Sequence, residues 1–242
     1  MSITTMSDKD IYGHIEQNLE VRENEKNKFG EVFTSSVLID ELFNNLPASS
    51  WTNPKLTWLD PCSGKGNFLA LAYIRLMKGL SKKIRDKVKR SQHILTNMLY
   101  MIEINSSSVQ ELHKLFGKDA NISNADFLDN KKKWEKDLGQ TQFDIVVGNP
   151  PFQVSKSNKY EGSVGNRTLW DKFLDKTFKE DLIKSKGYLA FINPSNWRRP
   201  EHRIYTLLTR ENTLKYLHIY GKKDGQTLLG ALAGHSLVNV TH

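Results

Sequence analysis

A single cysteine, Cys62, is present in 242 residues. No internal disulfide can form, and a cysteine-based zinc site is not expected. A reducing cytoplasm is the simplest compartment for such a chain. No apolar run approaches the roughly 20 residues that a membrane helix needs. The first residues, Met1 to Glu20, are polar and mixed in charge, without the apolar stretch of a signal peptide. His and Cys do not cluster, so no metal site is expected. Internal repeats and low-complexity tracts are absent too, which argues against a solenoid. What remains is an ordinary globular composition, 38% hydrophobic, enough for one large core. Lys and Arg total 35 against 27 Asp and Glu, a formal charge of +8. That excess suits a polyanionic partner such as nucleic acid, and equally suits simple solubility.

Hydrophobic spacing then orders the chain. Residues 1–27 read as a polar, helical or loosely ordered extension, and residues 28–242 as one catalytic domain. Apolar residues from Val37 to Leu46 recur at helical spacing. A short strand, Leu56 to Leu59, ends at Asp60. It is followed by a glycine-containing loop and an apolar helix from about Phe68 to Leu80. Further strands are expected at Leu99–Ile104, Asn121–Asn124, Phe143–Val147, Gly187–Ile192, Leu214–Tyr220 and Ser236–Val240. Helices are expected at Ser107–Phe116 and Trp170–Ile183, with an extra basic helix near Lys82 to Arg90. Short apolar strands alternating with helices predict an α/β fold around a mostly parallel sheet with helices on both faces. In such sheets ligands bind beyond the C-terminal strand ends, where the polar motifs of this chain fall.

The first motif is Asp60-Pro61-Cys62-Ser63-Gly64-Lys65-Gly66-Asn67. Gly64 and Gly66 let the backbone turn sharply and approach a ligand, and the helix that follows presents free amides. A phosphate loop would end Gly-Lys-Ser/Thr, and a dinucleotide loop would carry a third glycine near Leu69; neither is present. The acidic Asp60 suits a ligand with a cationic end, and a ligand-free tight turn remains the plain alternative. Glu103 ends the second strand, where a carboxylate can accept from a ribose diol or simply be solvated. Asp126 ends the third, where it can accept from an adenine amino group, with Phe127 against the ring, or cap a helix.

The second motif is Gly148-Asn149-Pro150-Pro151-Phe152, closing the fourth strand. The prolines stiffen the backbone and fix carbonyl directions. Asn149 supplies an amide oxygen, Pro150 a carbonyl and Phe152 a flat apolar face. An aryl amine is a poor nucleophile because its lone pair is delocalised into the ring. Two acceptors aimed at its two hydrogens favour a pyramidal nitrogen and stabilise the positive charge that develops on attack. The plain alternative is a rigid strand-to-helix loop.

With both motifs in this order, the chain resembles the gamma-class adenine-N6 DNA methyltransferases of the phage and restriction-modification type, over roughly residues 28–200. The resemblance implies a Rossmann-like S-adenosylmethionine-dependent methyltransferase fold with a seven-stranded sheet. It implies S-adenosylmethionine as cofactor, DNA as partner, and a flipped adenine as methyl acceptor. Phe29-Gly30-Glu31-Val32-Phe33-Thr34 resembles the first cofactor motif, with Ser35 where a proline is usual. Thr34 would cap the next helix and help hold the methionine part. Asp60, Gly64 and Gly66 would hold the cofactor, Glu103 its ribose, and Asp126 and Phe127 its adenine. Asn149, Pro150, Pro151 and Phe152 would form the catalytic turn, with Phe152 stacking on the target base. Segments Arg167–Phe173 and Asn193–Arg198 also resemble this family. Read from the residues alone, Lys156, Lys159, Arg198 and Arg199 are candidate phosphate contacts, and the polar loop Gln153 to Asn166 either closes over the target strand or is a plain surface loop. Few residues follow Tyr220, so target recognition is expected from another chain, an inserted loop or a longer protein. The same catalytic turn also occurs in enzymes that methylate RNA or a protein glutamine, and a non-enzymatic nucleic-acid-binding fragment of the fold is a further reading.

Overall fold

The computed structural model describes residues 2–20, 34–152, 168–221 and 235–242. The motif residues Phe29 to Phe33, the loop Gln153 to Asn166 and Arg167 lie outside them. Seven strands form one sheet: β1 (Trp58–Asp60), β2 (Leu99–Glu103), β3 (Asn121–Asn124), β4 (Phe143–Gly148), β5 (Ile183–Pro194), β6 (Thr213–Tyr220) and β7 (His235–Thr241). Their spatial order is β3-β2-β1-β4-β5-β7-β6. The first five run parallel, with Trp58 of β1 paired to both Leu99 and Ile145. Strand β7 inserts antiparallel between β5 and β6. From β1 the chain builds outward through β2 and β3, then returns to place β4 on the other side of β1. The strand order reverses there, which leaves a crevice beyond the ends of β1 and β4.

Alternation along the strands divides the core into two layers. Trp58, Met101, Ile145 and Ala190 face one layer, and Leu59, Ile102, Val146 and Leu189 the other. Both faces are therefore apolar and both must be covered. The helices Asp8–Glu20, Ser36–Asn44 and Asn67–Gly79 supply the first layer through Ile11, Ile15, Leu38, Phe43, Leu69 and Ile74. The helices Lys131–Leu138 and Trp170–Lys179 supply the second through Trp134, Leu138, Trp170 and Leu174. Residues 8–20, read as a polar extension, thus lend Ile11 and Ile15, four positions apart, to the core of the sheet.

Three sequence expectations shift. The helix from Trp170 stops at Lys179, and Asp181 takes a left-handed φ of 50°. Strand β5 then begins at Ile183, four residues before its apolar run. Its polar start is tolerated because Lys184 Nζ lies 2.8 Å from Asp144 Oδ2, which also accepts from the Thr57 amide at 2.8 Å. The basic helix covers Lys87–His93, not Lys82 to Arg90. Asp86 caps it by accepting from the Lys89 amide at 2.9 Å. Buried Arg90 is turned back onto the Ile84 and Arg85 carbonyls. No helix among the described residues is long and apolar enough to cross a membrane.

Candidate active site

Asp60, Glu103, Asn124 and Gly148 end β1 to β4 on the same edge of the sheet. Beyond β1 the chain turns tightly. The Ser63 hydroxyl donates to the Asp60 carbonyl at 3.0 Å, and the Gly66 amide donates to the Ser63 carbonyl at 2.7 Å. Gly64 and Gly66 both take left-handed φ, 52° and 84°. At Gly66 a Cβ would also stand 2.6 Å from the Phe116 ring and 2.8 Å from Leu112, so backbone and packing both demand glycine. At Gly64 only the backbone does, and a Cβ would meet nothing within 4 Å.

Glu103, 6% exposed, braces this turn. One carboxylate oxygen accepts from the Gly64 amide and the other from the Asn105 amide, each at 2.7 Å. A carboxylate oxygen has more than one acceptor position, so a ribose hydroxyl can still be received. Asp60, 1% exposed, accepts from the Cys62 amide at 3.1 Å. Its pKa is pushed up to about 7, first by burial and then by the charge of Glu103, against the pull of the Cys62 amide. Two carboxylates thus converge on one glycine turn, an arrangement relieved by a bound cation.

The turn after β4 sits directly against this loop. A Cβ on Gly148 would lie 3.1 Å from Asp60 Oδ1 and 3.4 Å from Cys62 Sγ. Cys62 Sγ accepts from the backbone amide of Asn149, while burial, then Asp60 and Glu103, push the thiol pKa up. The Asn149 side-chain nitrogen donates to Thr34 Oγ1 at 3.0 Å, and the Asn67 side-chain nitrogen donates to the Thr34 carbonyl at 3.2 Å. Thr34, Asn67, Cys62 and Asn149 therefore tie together the start of the helix Ser36–Asn44, the glycine loop and the Asn149 turn. Phe152 packs against the second apolar layer, and its carbonyl accepts from the Leu169 amide at 3.2 Å.

Other sequence expectations fall differently. Thr34 does not cap the following helix. Ser35 holds the cap position without a side-chain bond, and Glu16 of the first helix accepts from both the amide and hydroxyl of Ser36, at 3.2 and 2.6 Å. Asp126 accepts from the Leu128 amide at 2.8 Å across a tight turn, and the helix that follows, Lys131–Leu138, takes Asn130 at its cap position. Phe127, 2% exposed, stacks against Trp134 and Phe173 at centroid distances of 5.9 and 5.1 Å, so its ring belongs to the second apolar layer. Two contributors escape a sequence reading, Cys62 and Asn67. The only local signal for Asn67 is one amide side chain opening an otherwise apolar helix. Arg198 and Arg199 are exposed just past the end of β5.

Comparison with known proteins gives a family and a fold. The Eco57I restriction-modification methylase family matches residues 65–224. An adenine-specific methylase of Mycoplasma pneumoniae, itself uncharacterized, is 25% identical over 264 residues, covering 79% of this chain and 61% of the relative. The chain thus spans less than two thirds of that relative's length. Among solved structures, a Listeria monocytogenes protein assigned to the class I S-adenosylmethionine-dependent methyltransferases aligns with TM-score 0.62 and 12% identity. That alignment covers 100% of this chain and 70% of the other. A DrdV–DNA complex aligns with TM-score 0.65 and 13% identity, covering 98% of this chain and 30% of DrdV. At such identities the likeness speaks for the fold, which is the Rossmann-like methyltransferase fold that the sequence resemblance implied.

Proposed function

The chain belongs to the Eco57I restriction-modification methylase family, and from that premise we propose that it transfers a methyl group from S-adenosylmethionine to the N6 amine of an adenine in DNA. One observation carries the reading. The acidic glycine turn and the Asn149 turn meet across the crevice between β1 and β4, with Gly148 packed on Asp60 and Cys62. The residues present fit the cofactor. Asp60 and Glu103 favour a cationic ligand, Gly64 leaves open space at the turn, and Glu103 has acceptor capacity for a ribose. When bound, the cofactor supplies an electrophilic methyl group on a sulfonium.

The chain's own residues do the rest. Asp60 and Thr34 orient the amino-acid end, and Glu103 orients the sugar. Asp126 receives the cofactor's adenine, with Phe127 supporting that site from the layer beneath. The target adenine must leave the base stack to reach the crevice, where Phe152 offers a stacking face. Asn149 Oδ1 and the Pro150 carbonyl accept the two hydrogens of the amine, with Pro151 holding the turn rigid. The lone pair would then be free to form the N–C bond as the methyl–sulfur bond breaks with its electrons on sulfur; both oxygens would stabilise the charge nitrogen acquires until one amine proton leaves to solvent. Alignment of amine and methyl adds a proximity effect. Arg198 and Arg199, with Lys156 and Lys159, supply phosphate contacts. Target recognition would come from a further domain or subunit, a reading that the greater length of the relatives supports.

The test is incubation with radiolabelled S-adenosylmethionine and separate DNA, RNA and protein acceptors, followed by nucleoside and amino-acid analysis. Label in N6-methyladenine from DNA is expected. Asn149→Ala should lower the rate of transfer at least roughly a hundredfold while leaving cofactor affinity within about twofold. Label confined to RNA or to glutamine would overturn the reading, as would a normal rate in Asn149→Ala.

A further inference from the structure

A side-chain amide is useful as an acceptor only when its oxygen, not its nitrogen, faces the group it must bind. In Asn149 the nitrogen is spent on Thr34 Oγ1 at 3.0 Å. Thr34 is 3% exposed, and its own carbonyl is tied to Asn67 at 3.2 Å. Thr34 enters the helix Ser36–Asn44 and Asn149 leaves β4, so the bond joins two elements far apart in sequence. Resting on the function proposed above, we infer that Thr34 is a positioning residue: its hydroxyl takes the nitrogen end of Asn149 and thereby turns the oxygen end toward the target amine.

A hydroxyl can accept from an amide nitrogen or donate to an amide oxygen. It enforces one orientation only when its own proton is committed elsewhere. An acceptor-only group bound beside Thr34, such as the carboxylate of an amino-acid cofactor, commits that proton and leaves Asn149 only the lone pairs. The wrong orientation would then set nitrogen against nitrogen, two donors facing each other at the reacting amine. Cofactor occupancy and readiness for the base are thus linked through one hydroxyl. Several surrounding contacts keep Thr34 in place without taking part. Glu16 holds Ser36, and Tyr12 and Arg75 hold Asp40 on the same helix.

The test separates positioning from cofactor binding. Thr34→Val keeps the shape of the side chain and removes the hydroxyl, while Thr34→Ser keeps the hydroxyl. Single-turnover transfer at saturating cofactor and DNA should fall roughly tenfold or more in Thr34→Val and recover to within about threefold in Thr34→Ser. A merely cofactor-binding threonine would raise the KM for cofactor and leave that saturated rate unchanged, and this result would overturn the inference. A second readout needs no turnover. The Asn149 side-chain amide signal in a nitrogen-15 NMR spectrum, assigned by its loss in Asn149→Ala, should exchange faster with water in Thr34→Val than in wild type. It should exchange more slowly when sinefungin, a non-reactive cofactor analogue, is added to wild type. An amide signal indifferent to Thr34→Val would sink the inference even where DNA methylation stands. Label missing from DNA adenine sinks the functional reading and leaves the amide measurement to decide the Thr34–Asn149 pairing. Should Thr34→Val fail to fold, Thr34→Ala is read in the same two ways.

Discussion

Asp60 concentrates the electrostatics of the site. Its carboxyl is almost wholly out of water, and its pKa lies near 7 in the folded chain against 3.8 for an ordinary aspartate. The folded state therefore binds more protons than the unfolded chain between about pH 4 and 7. Stability must fall as pH rises through that window, by at most about 4 kcal/mol. Melting of the cofactor-free protein should drop from pH 5 to pH 8, and Asp60→Asn should flatten the drop. A cationic ligand reverses the preference, so cofactor binding at pH 6.5 should release a proton. Calorimetry in buffers of different ionisation enthalpy would register that release in wild type and not in Asp60→Asn; equal heats in all buffers would refute it. Asp60 and Asn149 were legible in the sequence because each is a polar residue at the end of an apolar strand. The use of Thr34 was not, since its partner lies 115 positions away. Phe127 was legible as an aromatic beside a polar strand end, but its packing against Trp134 and Phe173 was not, because nothing local announces those partners.

Among the elements, the helix Ser36–Asn44 has the most to hold in place, because its entry carries Thr34. Its Glu41 reaches the edge strand β6, where Tyr216, His218 and Tyr220, alternate residues of one strand face, all hydrogen-bond to the carboxylate. Burial raises the pKa of Glu41, but these donors outweigh it and hold the group below its ordinary value. Their contribution is present at neutral pH and is lost as pH falls through the acid range. Glu41→Gln should cost about 1–2 kcal/mol in urea unfolding at pH 7, and much less at pH 3.5; an equal loss at both would contradict the assignment. The central strands were legible because both their faces are buried, giving unbroken apolar runs. The first four residues of β5 were not, because Lys184 disguises a strand whose charge is answered by Asp144 from β4. In the helix Lys131–Leu138 the run of lysines marks the solvated face, while Trp134 and Leu138 turn to the core. The helix Asp8–Glu20 showed only Ile11, Ile15 and Leu19 as aliphatic residues in a mostly polar stretch, too little to announce a core element.

At the scale of the molecule, the +8 charge acquires a direction. Arg198 and Arg199 stand exposed past β5, on the edge of the sheet that carries the proposed site. If they meet phosphates, replacing both with alanine should weaken DNA binding similarly for all sequences. It should also reduce the slope of log affinity against log salt by roughly 1–2. A loss confined to one DNA sequence, with the salt slope intact, would assign them to base reading instead. The mostly parallel sheet, and the polar motifs at its C-terminal strand ends, followed from the alternation of apolar strands with helices; the strand order did not. The grip of the sheet's far side on the site did not. Asn239 of β7 donates through its side chain to the carbonyl of Leu42 at 3.0 Å, across 197 positions. During synthesis on the ribosome, the helix bearing Thr34 emerges early but must wait for β7 before its second flank is secured. A nascent chain stalled after Phe152 would carry the residues from Thr34 to the Asn149 turn and still lack the Asn239 bond to the helix Ser36–Asn44.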